Sequence, residues 1–143
     1  MYIGEYEHKT DAKGRVIMPT NLREELGDVF YVTQGMEGCL FVYDEAEWAN
    51  MSEKMKKLRL TSKKARDFSR LFYAPARKVE VDKQGRVLIP QRLREYAKID
   101  KEVIIIGVST RVEIWAKERY ETYMGSDDMD YEMVMDEFEE LDI

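Results

Sequence analysis

The stretch DAKGRVIMPTNLREEL at 11–26 returns at 82–97 as DKQGRVLIPQRLREYA, with Asp, Gly, Arg, Val, Pro, Leu, Arg and Glu identical at eight of sixteen aligned positions and an offset of 71 (82 minus 11). Self-similarity of this density marks one supersecondary unit present twice rather than a single undivided domain. Each copy reads as strand, turn, strand and short helix. Extended residues 2–8 lead into the turn 11–14, and Arg15-Val16-Ile17-Met18 then run to Pro19. Lys13-Gly14 and Gln84-Gly85 are turn dipeptides in which glycine supplies a positive φ, and Asp11 or Asp82 is placed to accept backbone N–H groups as an Asx turn. Pro19 and Pro90 suit a first helical position, where φ is already set and no N–H is needed. Leu22 with Leu26, and Leu93 with Tyr96 and Ala97, give each helix one apolar face, while Arg23, Glu24, Arg94 and Glu95 point away.

Beyond each helix, the β-rich runs 29–33 and 103–106 are followed by Gly35 or Gly107 and by a further strand at 40–43 or 112–115. Gly35 aligns with Gly107 at an offset of 72, which implies a one-residue insertion in the second copy. Four strands and one short helix leave open sheet edges, and two such copies can cover one another's edges by closing a barrel within a chain or between chains. The predicted class is therefore α+β, with a repeat at 5–48, a helical connector at 49–75, a second repeat at 76–119 and an acidic helical tail at 120–143. In the connector Trp48, Met51, Met55 and Leu58 recur at spacings of 3 and 4, and Thr61 or Ser62 can cap a second helix carrying Ala65, Phe68, Leu71 and Phe72. Its bases, Lys54, Lys56, Lys57, Arg59, Lys63, Lys64, Arg66 and Arg70, form either a solvated face or a surface for a polyanion.

Net charge is -6, yet nine acids and no base lie in 127–143, so residues 1–126 hold 20 acids against 23 bases, a body of +3 (23 minus 20). The acidic balance thus belongs to the tail. The tail's Met129, Met133, Val134, Phe138 and Leu141 suggest an amphipathic helix packed on the basic connector; the other reading is a flap that competes with DNA for that basic surface. No apolar run approaches the ~20 residues needed to cross a bilayer, and residues 1–10 carry no export signal, so a cytoplasmic protein is expected. Cys39 is the single cysteine, which excludes an internal disulfide and a thiolate-rich metal site, and its apolar neighbours 40–43 predict a buried, inert thiol. His8 is the single histidine, read as a polar residue beside the turn. No triad, phosphate loop or metal-ligand spacing is visible; the chain is expected to be no enzyme, with no cofactor, no metal and no small-molecule substrate.

What the repeat does supply is cationic: Lys9, Lys13 and Arg15 about one turn, and Lys78, Lys83 and Arg86 about the other. An arginine at the base of a hairpin can offer its planar fork to guanine O6 and N7 in a major groove while lysines contact phosphates. The alternative is an Asp–Arg pair that only staples the hairpin, and both roles can coexist because the aspartate can orient the arginine. Double-stranded DNA is the predicted partner. A protein-interaction scaffold, with the acidic tail as its binding arm, is the second function class.

GEYEHKTDAKGRVIMP with NLREELG, GMEGCLFVYDEAEW and the second DKQGRVLIP resemble the MraZ family of bacterial transcriptional regulators across nearly the whole chain up to the tail. The doubled Asp-x-x-x-Arg is the signature of that resemblance. It implies two AbrB-like swapped-hairpin barrel halves assembled into ring-shaped homo-oligomers. It further implies a nucleoid-associated repressor that binds short direct repeats in the promoter of the division and cell wall gene cluster. An antitoxin-like scaffold on the same barrel is the alternative. Carried over by position, Arg15 and Arg86 would touch DNA with Lys13, Lys83 and Lys9 beside them, and Asp11, Gly14, Asp82 and Gly85 would shape the turns.

Overall fold

Alternating apolar and polar residues, punctuated by turn glycines, generate four strands in each copy. A computed structural model of the protein describes residues 1–142; Ile143, the end of the expected tail, lies outside the described residues. The first copy forms β1 (Glu5–Lys9), β2 (Arg15–Ile17), β3 (Val29–Gln34) and β4 (Leu40–Tyr43). The second forms β5 (Arg77–Glu80), β6 (Arg86–Leu88), β7 (Glu102–Val108) and β8 (Arg111–Ala116). They build a six-stranded antiparallel sheet in the order β1-β7-β8-β4-β3-β5 and a separate two-stranded ribbon, β2-β6.

The copies are interlocked. β1 does not pair in its own copy but lies on β7, from Glu5↔Ile106 to Lys9↔Glu102, and β5 lies on β3, from Val29↔Glu80 to Val32↔Arg77. β2 pairs with β6 through Val16↔Val87, and β4 with β8 through Leu40↔Ile114 and Val42↔Val112. Exchanging the copies therefore leaves the sheet order unchanged. The register corrects one alignment: Val112 lies opposite Gly107, whereas its counterpart Leu40 lies opposite Gln34, so Gly107 occupies the place of Gln34 and not of Gly35. His8 sits within β1 opposite Val103, not beside the turn.

Two short helices, α1 (Thr20–Leu26) and α4 (Gln91–Tyr96), close the core over the ribbon. Pro19 and Pro90 are the N-caps of these helices, one position earlier than expected, with ψ of 136° and 145°. Their carbonyls accept from Leu22 and Arg23, and from Leu93 and Arg94, which starts each helix without a side-chain cap. Val16, Met18 and Leu22 of one copy and Val87, Ile89 and Leu93 of the other join Phe30, Leu40, Ile105 and Ile114 in one core, each at most 2% exposed. Cys39 is also buried, and burial pushes its thiol up to about 12.

The connector folds as α2 (Glu45–Met55) and α3 (Lys63–Tyr73), so the expected boundary at 48/49 falls inside α2. The Asp44 side chain caps α2 by accepting the Glu47 N–H at 2.8 Å, and Ser62 caps α3 by accepting from Ala65 at 3.2 Å. Trp48 stacks on Tyr31 at 4.8 Å and on Phe72 at 5.3 Å, and the Thr33 hydroxyl donates to the Phe72 carbonyl at 2.6 Å. Of the second helix's apolar stripe only Phe72 is buried; Phe68 and Leu71 stay exposed.

The tail departs from expectation. α5 (Lys117–Met124) straddles the 119/120 boundary, and the acidic residues beyond it form only α6 (Tyr131–Asp136) and a 3-10 turn (Glu139–Leu141) instead of one helix. Like charges one turn apart, Glu132 with Asp136 and Asp136 with Glu140, disfavour a longer helix. α6 buries none of its residues, and among the described residues no tail acid pairs with a connector base. The connector's own acids already occupy several of those bases: Lys63 and Arg70 bind Asp67, and Lys56 binds Glu53. No helix among the described residues is long and apolar enough to cross a membrane.

Because the core draws on both copies, Phe30→Ala is expected to remove about 3–5 kcal/mol of stability. Urea unfolding followed by tryptophan fluorescence and circular dichroism will then show one coincident transition; two separate transitions would mean that the copies fold independently.

Candidate nucleic-acid interface

The turn that opens each ribbon strand is built by one carboxylate. Asp11 Oδ1 accepts the backbone N–H of Lys13 and of Arg15, both at 2.9 Å, and Oδ2 accepts Arg15 Nε at 2.7 Å. Asp82 repeats this with Gln84 and Arg86 N–H at 2.9 Å and Arg86 Nε at 2.8 Å. The spacing Asp-x-x-x-Arg is thus the length of chain that brings an arginine back to its own aspartate across a glycine turn. Gly14 and Gly85 take φ of 83° and 79°, a region that costs little only without a Cβ. The Arg15 backbone N–H is the main cause that holds the Asp11 carboxyl down to about 2, opposed by partial desolvation; the Asp82 carboxyl is lowered in the same way, first by the Arg86 N–H.

The ribbon then sets the two turns at opposite ends of one small surface. Ile89 N–H donates to Gly14 O at 3.1 Å and Met18 N–H to Gly85 O at 3.0 Å, so each turn is tied to the other copy's strand. With Val16 and Val87 buried, Arg15, Ile17, Arg86 and Leu88 form the opposite, outward face. Arg86 Nη1 also lies 3.9 Å from Asp11 Oδ2, linking the two motifs across the ribbon. The aspartates engage the arginines through Nε, and the Nη groups of Arg15 make no hydrogen bond among the described residues.

Two further cations arrive from the helices. A Cβ built on Gly14 would lie 2.4 Å from Arg94 Cζ, and one on Gly85 would lie 2.2 Å from Arg23 Nη1. Each helix arginine therefore lies over the turn glycine of the other copy, which is why both glycines are buried. Arg94 Nε donates to Ile89 O at 2.9 Å and is fixed in that place. In the sequence alone Arg23 and Arg94 only point away from their own helix's apolar face. The available signal was that both arginines are among the eight repeated identities, although neither serves that face.

Of the anticipated residues, Arg15, Arg86, Asp11, Asp82, Gly14 and Gly85 come together at the ribbon, with Lys13 and Lys83 exposed on its turns. Lys13 aligns with Gln84 and Lys83 with Ala12, so each turn carries one lysine at a different step. Lys9 is apart from them, at the end of β1 opposite Glu102 on the large sheet. Six bases, Lys13, Arg15, Arg23, Lys83, Arg86 and Arg94, surround two aspartates there, a cationic surface on a chain of net charge -6. Among the described residues no group of three or more His, Cys, Asp or Glu is arranged to hold a metal ion.

The fold is thus a duplicated β–α unit whose copies complete one sheet and pool their arginines on a two-stranded ribbon. The family model described as "MraZ protein, putative antitoxin-like" matches residues 1–71 and again 72–137. The chain is 54% identical over 143 residues to the transcriptional regulator MraZ of Thermoanaerobacter sp. (strain X514), covering 100% of both chains. It is 55% identical to that of Caldanaerobacter subterraneus subsp. tengcongensis and 52% to that of Finegoldia magna, again over 143 residues and 100% of both chains. The chain belongs to the MraZ family, a family of regulators and not of enzymes.

The Asp11 hydrogen bonds favour the ionised carboxylate, so the turn's order is complete above the ordinary carboxyl value of 3.8 and is lost as pH falls through about 2. The side-chain carboxyl carbon-13 resonance of Asp11 is expected to titrate with a midpoint of about 2; a midpoint at the ordinary value would remove the aspartate from this role.

Proposed function

We propose that the chain is a sequence-specific DNA-binding transcriptional regulator. It represses the division and cell wall gene cluster, binding short direct promoter repeats as a ring-shaped homo-oligomer associated with the nucleoid. The observation that carries this reading is the meeting of Arg15, Arg86, Arg23 and Arg94 at one two-stranded ribbon, two arginines from each copy. An antiparallel ribbon has the width to enter a major groove, where an arginine fork recognises guanine O6 and N7. Arg15 and Arg86 read bases, held by Asp11 and Asp82. Lys13 and Lys83 at the turns, and Lys9 at the approach to the first, meet phosphates. Arg23 and Arg94 buttress Gly85 and Gly14 and add positive charge. The names of the relatives support regulation of transcription, and the exchange of β1 and β5 between copies supports an AbrB-like swapped-hairpin fold.

Six bases on one ribbon bind a duplex only weakly, so several ribbons on one assembly must engage spaced repeats together to reach useful affinity. A ring supplies that repetition. The family description and the exposed apolar residues of the tail favour one other reading, an antitoxin-like scaffold in which residues 127–143 hold a protein partner. Capture of one stoichiometric protein by that segment, with no sequence-selective retention of DNA, would favour the scaffold.

Gel-shift titration of a duplex from the promoter of the chain's own gene tests the regulator. Arg15→Ala and Arg86→Ala should each weaken binding by about 1–3 kcal/mol, roughly five- to 150-fold, and relax preference over a shuffled duplex. Affinity of the parent should fall steeply with salt. If Arg15→Ala is folded, still assembled and shifts the promoter duplex as the parent does, these roles are wrong.

A further inference from the structure

We propose that Ile17 and Leu88 are specificity-determining residues that receive the C5-methyl groups of thymines beside the bases read by Arg15 and Arg86. The inference rests on the reading above, that the ribbon enters duplex DNA, and deepens it by naming part of the sequence recognised.

Ile17 and Leu88 occupy equivalent places in the two copies, 71 apart, and they are 48% and 52% exposed. Core packing does not explain them, because the inward positions of the same strands are taken by Val16 and Val87, each 1% exposed. Both copies nonetheless put a large aliphatic side chain there. The register explains where they stand: Arg15 lies directly opposite Leu88, and Ile17 directly opposite Arg86. Neighbouring strands are ~4.8 Å apart and alternate residues of one strand ~6.7 Å apart. The four outward side chains thus stand at the corners of a rectangle about 5 by 7 Å, arginines on one diagonal and aliphatics on the other. Its long edge matches two base-pair steps of ~3.4 Å.

A surface of this kind has a defined complement. Polyanionic DNA is attracted by the arginines on one diagonal and by Lys13 and Lys83 at the ends, but its charged phosphates offer nothing to an aliphatic group. On the major-groove edges of the bases the apolar feature is the thymine methyl. An aliphatic side chain held one strand away from a guanine-reading arginine therefore favours a thymine next to that guanine. One methyl group so buried corresponds to about fourfold in affinity.

The test uses the full chain and two versions of the promoter duplex, one natural and one with every thymine replaced by deoxyuridine, which deletes only the C5-methyl groups. The parent should bind the deoxyuridine duplex about fourfold more weakly for each methyl contacted. The double variant Ile17→Ser, Leu88→Ser, altered only on the exposed face, should bind the natural duplex more weakly by a comparable factor and bind both duplexes alike. Equal binding of the two duplexes by the parent, while Arg15→Ala still weakens binding of the natural duplex, would overturn the inference and leave the DNA reading intact. So would a double variant that keeps the parent's preference for the thymine duplex, or one whose assembly size changes while that preference persists. If Arg15→Ala and the double variant both bind the natural duplex as the parent does, the DNA reading itself fails.

Discussion

The first strand of each copy has no partner within that copy, and the architecture follows from this constraint. An unpaired edge would leave a row of backbone N–H and C=O groups exposed to other chains. Here β1 pairs with β7 and β5 with β3, so neither copy completes its share of the sheet without the other, and the two strands become the outer edges of one open sheet rather than closing the expected barrel. The same exchange draws β2 against β6 and closes a single core under both helices. Duplication thereby yields one interlocked body rather than two beads on a string, and the turns at 11–14 and 82–85 become the two ends of one ribbon.

The ribbon's cationic surface is set by local chemistry. One aspartate oxygen gathers two backbone donors and the other takes Nε of the arginine four residues on, which fixes the turn and aims the guanidinium together. Arginine suits this arrangement because its planar fork can be held along one edge while its remaining N–H groups stay available. A lysine in the same place would have to give up its single ammonium to the aspartate. The helix arginines complete the site from the opposite copy, so a cationic surface arises on an acidic chain because nine of the acids are confined to 127–143.

Much of this is legible in the sequence. The repeated Asp, Gly, Arg and Pro specified turn, strand and helix start, because each reports on backbone within a few residues of itself. Ser62 as a cap and Cys39 as a buried thiol were readable for the same reason. What stayed hidden depends on long-range pairing. Arg23 and Arg94 look like solvated helix residues until the other copy's turn is set beneath them, and the Gly35–Gly107 alignment fails because the strands shift by one position relative to the sequence match. The tail differs from the sequence expectation for an electrostatic reason: nine acids without a base do not sustain one long helix, and the connector's bases are partly neutralised by Asp67 and Glu53.

If the chain binds DNA as proposed, the ribbon is the surface that meets the duplex. Backbone hydrogen exchange measured by mass spectrometry on the assembled protein, with and without the promoter duplex, reads this directly. Protection concentrated in peptides covering 11–17 and 82–88 is the predicted result. Protection confined to the basic connector at 54–70, with the ribbon unchanged, would contradict it.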